Sequence, residues 1–161
     1  MTGLTATNYS FTPANGTITI SKANTTITAT GTTTFTYTGA AQGPATSTVT
    51  GSTGAVTYSY SGTGTTTYPA SATRPTNAGT YQVIATVATD ANFNAASSVA
   101  LGFTINRVGL TITAGNQNVA YGTSVTSVTN AGTFTANGFV NSETSAVIGG
   151  AATYTLSLIH I

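Results

Sequence analysis

Asn77-Ala78-Gly79-Thr80-Tyr81-Gln82-Val83-Ile84-Ala85-Thr86-Val87 is the stretch whose reading decides the architecture of this chain. Turn-forming residues lead into a run in which Tyr81, Val83, Ala85 and Val87 share one face, Gln82 and Thr86 take the other, and Ile84 blurs the contrast. Side chains alternate across an extended strand with a period of two, so the run predicts a strand over 80–88 with one face in a core. Its entry also has the form of a tyrosine corner, in which a Tyr at the start of a strand hydrogen-bonds a few residues back along the chain. Asn77, Gly79 and Tyr81 are the candidate structural residues of that corner. The other reading is an ordinary Asn-Ala-Gly turn ahead of a strand.

Working outward, the same period recurs in short runs rich in Thr, Val, Ile and Tyr, broken by Gly, Asn, Ser and Pro, and the helical period is nowhere sustained. Strands are predicted at 25–30, 33–38, 46–50, 55–60, 65–68, 80–88 and 98–105. Val99, Leu101, Phe103 and Ile105 form a second apolar stripe, and Val56, Tyr58 and Tyr60 a third. The three stripes are expected to meet inside two packed sheets. Seven strands with this patterning suit an immunoglobulin-like (Ig-like) sandwich, whose corner Tyr stands two residues before a position that antibody domains fill with Cys and this chain fills with Val83. Thr on the outer face combines strand propensity with a hydroxyl for water.

Part of the chain occurs twice. Ile18-Thr19-Ile20-Ser21-Lys22-Ala23, Thr26-Ile27-Thr28-Ala29 and Tyr37 return as Phe103-Thr104-Ile105-Asn106-Arg107-Val108, Thr111-Ile112-Thr113-Ala114 and Tyr121. The offset is 85 at the isoleucines (105 − 20) and 84 at the tyrosines (121 − 37). Such a period is too long for a solenoid coil and close to one small sandwich. The fold expected is therefore all-β, a tandem of Ig-like antiparallel β-sandwich modules. Residues 1–20 would end one module, with a closing strand at 17–20; 21–107 would be a complete module; 108–161 would begin a third. Thr129-Asn130-Ala131-Gly132-Thr133-Phe134 echoes the corner only 53 residues later (130 − 77), out of phase with the repeat, and is read as chance. The last residues, 156–161, break the Thr and Gly style; they resemble translated sequencing-adapter sequence, the other reading being an apolar strand.

Composition excludes several functions. Charged residues are 3% of the 161, about a quarter of the chain is Thr, and the net charge is +1. Three scattered cations, Lys22, Arg74 and Arg107, cannot neutralise a phosphate backbone, so nucleic acid is not an expected partner. No apolar run approaches a membrane span, and no basic region with an apolar core opens the chain as a signal peptide. Cysteine is absent, so neither disulfides nor thiolate metal sites are available. Paired-carboxylate catalysis needs two acids at one site, yet Asp90 and Glu143 are the only two and fall in different predicted modules. A Ser or Thr nucleophile needs a base, and the sole His, His160, lies in the aberrant tail.

The remaining motifs read as structure. Gly62-Thr63-Gly64 begins like a dinucleotide fingerprint, but Thr67 stands at the third glycine, and a hairpin turn is expected. Asp90-Ala91-Asn92-Phe93-Asn94 alternates oxygen ligands as a calcium loop does, with one carboxylate and no later Glu; a turn between the last two strands is expected instead. Three Asn-x-Ser/Thr triplets, at Asn8, Asn15 and Asn24, match the glycosylation pattern in a chain where chance supplies it. Lys22 has no buried acid in evidence for an isopeptide bond, and the Thr-x-Thr pairs of 34–38 lack the short identical coils of an ice-binding face.

The chain resembles the MBG domain, an Ig-like module repeated along large bacterial surface and adhesin-like proteins. The words that carry the resemblance are Arg74-Pro75-Thr76-Asn77-Ala78-Gly79-Thr80-Tyr81, Asp90-Ala91-Asn92-Phe93-Asn94 and Phe103-Thr104-Ile105. From Leu110, the pattern Leu-Thr-Ile-Thr-Ala, Tyr121-Gly122 and Gly138-Phe139-Val140-Asn141-Ser142-Glu143-Thr144 is similar to the start of an MBG-type or YDG-type module, with Thr123 after Tyr-Gly where the family usually has Asp. The resemblance implies a non-enzymatic, cofactor-free structural repeat of an extracellular or cell-surface bacterial protein. It would act as spacer or adhesion stalk, its partners being neighbouring modules in the chain. The alternative is an adhesive module that takes host or cell-surface glycan or protein through loop aromatics, Tyr58, Tyr60 and Tyr68. Alternation sends Tyr58, Tyr60 and Tyr81 inward and leaves Tyr68, beside Pro69, as the aromatic expected to be exposed and the candidate ligand contact.

Overall fold

The computed structural model describes residues 3–12, 14–118, 120, 122–130, 132–150 and 153. Seven strands lie between residues 26 and 106: β1 (Thr26–Thr30), β2 (Thr34–Thr36), β3 (Thr46–Thr50), β4 (Val56–Gly62), β5 (Gly79–Val87), β6 (Ala96–Ser97) and β7 (Leu101–Asn106). Beyond them come β8 (Thr111–Ala114), a six-residue helix α1 (Val125–Asn130), β9 (Phe134–Asn137) and a 3-10 turn at Ser145–Val147. The described chain is mainly β-sheet, as its period-two runs predict. Helix α1 is not predicted by any sustained helical period; the Ser124 hydroxyl accepts from the Ser127 N–H at 3.2 Å and so caps its first turn.

β5 is the spine of the larger sheet. β4 runs antiparallel along one side, Tyr60 opposite Val83, and β7 antiparallel along the other, Tyr81 opposite Phe103. β6 pairs with the far end of β5, Val87 opposite Ala96. β1 and β3 form a separate antiparallel ribbon, Ile27 opposite Val49. Ile27 and Ala29 from that ribbon, Tyr60 from β4, Tyr81, Val83, Ala85 and Val87 from β5, and Phe103 and Ile105 from β7 bury together as one core between the two layers. Val83, Ala85 and Val87 are wholly inaccessible, because β5 has neighbours on both edges and a layer on its inner face. Phe103 is the aromatic hub: it stacks on Tyr81 at 5.5 Å between centroids and meets Phe35 and Tyr60 edge-on at 6.0 and 6.2 Å.

Four expectations are corrected. First, β2 pairs with β7 in parallel, Phe35 opposite Ile105, so the sheet is mixed rather than purely antiparallel. The chain leaves β1 at Gly31, with φ 126°, a conformation open to glycine, and crosses to the other layer before β2 begins. Second, the predicted strand 98–105 is interrupted. Ser98 still faces Ala85, its N–H donating to the Ala85 carbonyl at 2.8 Å and its hydroxyl accepting from the Ala85 N–H at 3.0 Å. Leu101 then pairs with Val83, so the intervening residues bulge out of register. Val99 sits in that bulge, 90% exposed, and is not part of the core stripe.

Third, residues 65–68 are a loop. The Gly62 N–H donates to the Tyr68 carbonyl at 2.9 Å and the Thr66 N–H to the Thr63 carbonyl at 3.1 Å, while the Thr66 hydroxyl accepts from the Thr80 N–H at 3.0 Å. Hydroxyls thus occupy groups that a ladder would use. Fourth, residues 17–20 form no strand; Ile18 and Ile20 are each 93% exposed, with no neighbouring strand to pair with among the described residues. Tyr121, His160 and the segment 156–161 lie outside the described residues, as does Ala131 within the echo motif.

Buried polar groups at the end of the core are satisfied, as burial without a partner would be costly. The Thr25 hydroxyl donates to the Asn94 carbonyl at 2.6 Å and accepts from the Ser52 N–H at 3.2 Å, and the Ser52 hydroxyl donates to the Ala88 carbonyl at 2.6 Å. These bonds fasten the end of the β1–β3 ribbon to the end of β5.

Candidate functional site

Tyr68 and Tyr81 stand together at one end of the larger sheet. Gly79 and Thr80 open β5 and place Tyr81 at its first inward position, while the loop after β4 brings Tyr68 edge-on against it, 5.8 Å between centroids. The Tyr81 hydroxyl donates to the Asn77 carbonyl at 2.8 Å, four residues back, and the Tyr68 hydroxyl to the Thr73 carbonyl at 2.8 Å. Each phenol therefore commits its polar end to its own backbone. Burial, and then the neighbouring Tyr68, raise the Tyr81 phenol above its ordinary 10.0. Tyr68 is half-buried and packs against the core cluster, so it is not the exposed ring that alternation suggests. Loop closure decides this: once 63–68 fold back onto β4 and β5, Tyr68 comes to rest on the ring of Tyr81.

In front of the two rings lies an open cleft of about 550 Å³, lined by residues 65–68, 76–81 and 104–107. Its lining is rich in Thr and includes Asn77, Asn106 and Arg107 beside the two tyrosines and Ile105. The Thr80 hydroxyl is engaged by the Thr63 carbonyl at 2.8 Å. The cleft offers hydrogen bonds and one positive charge, but its lining contains neither carboxylate nor imidazole. Tyr58, from the middle of β4, is half-buried with its hydroxyl 3.1 Å from that of Ser47, and Tyr60 is buried with its hydroxyl donating to the Pro44 carbonyl at 2.7 Å. The fold does not bring Tyr58, Tyr60 and Tyr68 together on one accessible surface.

The two acids are also spoken for. Asp90 closes its turn: one carboxylate oxygen accepts from the Asn92 and Phe93 N–H groups at 2.9 and 2.8 Å, and the other from the Thr53 N–H at 2.8 Å and its hydroxyl at 3.2 Å. These bonds, the one from the Thr53 N–H foremost, hold the Asp90 carboxyl at about 2, well below its ordinary 3.8. Lys22 donates to the Asp90 carbonyl at 2.6 Å and the Thr89 hydroxyl at 3.0 Å. Among the described residues no group of three or more His, Cys, Asp or Glu is placed to hold a metal ion. Glu143 accepts from the Tyr37 hydroxyl, 106 positions away in sequence. That hydrogen bond, followed by burial and by the Glu143 charge, raises the Tyr37 phenol above 10.0. Around this contact, Asn141 (φ 53°) seats against Gly39, where a Cβ would meet the Asn141 side chain at 2.5 Å. A hollow of about 290 Å³ lies beside it, between Tyr37, Asn77 and Arg107 on one side and Leu110, Phe139 and Val140 on the other.

Sequence reasoning missed the Tyr37–Glu143 contact and the bonding of Thr53 to Asp90. The Asp-x-Asn-Phe spacing of the turn was the available signal for Asp90; nothing local signals Tyr37 and Glu143. No family model, no curated protein and no solved structure matches this chain. No helix among the described residues is long and apolar enough to cross a membrane.

Proposed function

We propose that the chain is a non-enzymatic structural repeat, a spacer or stalk unit of an extracellular or surface-attached bacterial protein, built from Ig-like sandwich modules of MBG type. One observation carries this reading: between residues 21 and 107 all eight aromatic side chains are buried or half-buried, none of them exposed. A module that recognises glycan needs clustered accessible rings to stack on sugar faces, whereas a module that only holds distance uses its aromatics as core. The two facing layers, the Tyr81 hydroxyl bonded back to Asn77, and the 85-residue offset support the modular part of the reading. The charges add to it: Asp90 and Lys22 are occupied in holding one turn, and Glu143 in a contact between the 21–107 body and the residues after it.

The test is a binding screen of the full chain against a glycan array and a host-surface extract. No specific binding is expected. Specific binding that Tyr68→Ala or Arg107→Ala abolishes, with the circular dichroism spectrum unchanged, would replace the spacer reading by the adhesive one and place its ligand in the 550 Å³ cleft.

A further inference from the structure

The 21–107 body takes the chain in at one end and releases it at the other. Ala23 lies parallel to Phe93, its N–H donating to the Asn92 carbonyl at 2.9 Å and its carbonyl accepting from the Asn94 N–H at 2.8 Å. Lys22 adds its bonds to Thr89 and Asp90, so the entry is fastened beside the Asp90 turn, just past the Val87 end of β5. The exit is at the opposite end of the same strand: Ile105 of β7 stands opposite Gly79, where β5 begins. β5 has nine residues, so entry and exit are separated by roughly 30 Å at the usual rise of an extended strand.

The strands that connect to those two points run alongside each other. From the entry the chain passes through β1 and Gly31 into β2, which reaches the exit end beside β7. β2 and β7 are parallel, and their seam continues one residue beyond β2 on each side. The Thr104 N–H donates to the Thr33 carbonyl and the Tyr37 N–H to the Asn106 carbonyl, both at 2.9 Å. Phe35 of β2 meets Phe103 of β7 edge-on, adding ring contact to the same seam.

Tension between residues 20 and 107 draws β7 toward the exit and β2, through β1, toward the entry. Parallel neighbours drawn in opposite directions slide along each other, so all the bonds of the seam are strained together and none breaks far ahead of the rest. An antiparallel seam in this place would have both loaded ends on the same side and would open one bond at a time. We propose that the β2–β7 seam is a tension-bearing joint, through which the body resists force applied along its length by shear of this parallel pair. The use of such a joint rests on the spacer reading, in which a stalk unit is pulled from both ends; the joint itself is a property of the fold.

The experiment is single-molecule pulling of the full chain by pairs of cysteine handles, which the absence of native cysteine makes specific. Three double variants differ only in where the handles sit, all at exposed residues. Ile20→Cys with Arg107→Cys loads the whole path from entry to exit. Thr32→Cys with Arg107→Cys leaves β1 slack and loads β2 against β7 in shear. Thr38→Cys with Arg107→Cys pulls on the two ends that lie side by side and peels the seam. At one pulling speed the first two pairs are expected to open the body at the same force, and the third at a force roughly threefold or more lower, since forced opening follows the barrier along the loaded direction. A 32–107 force below the 20–107 force would move the resistance to β1, and a 38–107 force equal to the other two would mean that the seam is not loaded in shear; either result overturns the proposal. Specific binding in the glycan screen would remove the spacer role and leave this force pattern in place, whereas loss of the pattern in a chain that binds nothing would remove the joint and leave the spacer role.

Discussion

The side chains that define this protein act mostly by fixing backbone. Tyr81 fills the core with its ring and ties the chain entering β5 with its hydroxyl. Tyr81→Phe keeps the ring and loses one hydrogen bond, so it is expected to cost about 1 kcal/mol, the lower part of the range for a stranded acceptor, because Asn77 is exposed enough for water to replace the donor. Val83→Ala opens a void at a fully inaccessible site and is expected to cost roughly 1 to 3 kcal/mol. Denaturant midpoints measure both, and parental values for either would mean that the residue is not held as described. Asp90 gives a pH signature. Its folded pKa is depressed to about 2 from 3.8, so its contribution to stability is fully present above the unfolded value and is lost as pH falls through about 2. A carboxyl carbon NMR titration is expected to place its midpoint near 2 and to leave it there in Lys22→Ala, since the backbone N–H groups, and not the Lys22 ammonium, hold the charge. An ordinary midpoint would refute the turn geometry.

At the scale of elements, the strands differ in how many sides are covered. β5 is paired on both edges and packed on its inner face; among the described residues β8 and β9 pair with each other and with no further strand, and they are exposed along almost their whole length. Local opening depends on covered apolar area and buried hydrogen bonds, so amide exchange is expected to be slowest in 81–87 and fastest in 111–114 and 134–137. Comparable protection in the two regions would mean that the second ribbon is covered by something else. The bulge after Ser98 makes a sharper claim. Ser98→Ala removes the acceptor for the buried Ala85 N–H, and is expected to cost about 1 to 3 kcal/mol, whereas Val99→Ser, on the outside of the same bulge, is expected to be within about 0.5 kcal/mol of the parent. Equal effects at the two positions would return Val99 to the core stripe.

For the molecule as a whole, residues 21–107 hold every residue of the main core cluster, and that span expressed alone is expected to melt cooperatively with a β-type circular dichroism spectrum. The segment beyond Val108 is fastened to this body by the Tyr37–Glu143 hydrogen bond and by the seat of Asn141 on Gly39. Glu143→Ala or Gly39→Ala is therefore expected to speed proteolysis after Val108 while leaving the main melting transition in place. Raising the pH through the elevated Tyr37 pKa is expected to loosen the same contact, because a phenolate and a carboxylate repel. The sequence by itself determined the β character, the positions of β1, β3, β4 and β5, and the inward residues Tyr81, Val83, Ala85 and Val87. All of these rest on neighbours a few residues apart, where period and turn chemistry speak directly. Only the tertiary structure decided that β2 lies parallel to β7, that Val99 faces water, that Tyr68 folds onto Tyr81, and that Glu143 reaches Tyr37. Each depends on which distant backbone arrives alongside, and a strand's alternation names the face that is buried without naming the strand that buries it.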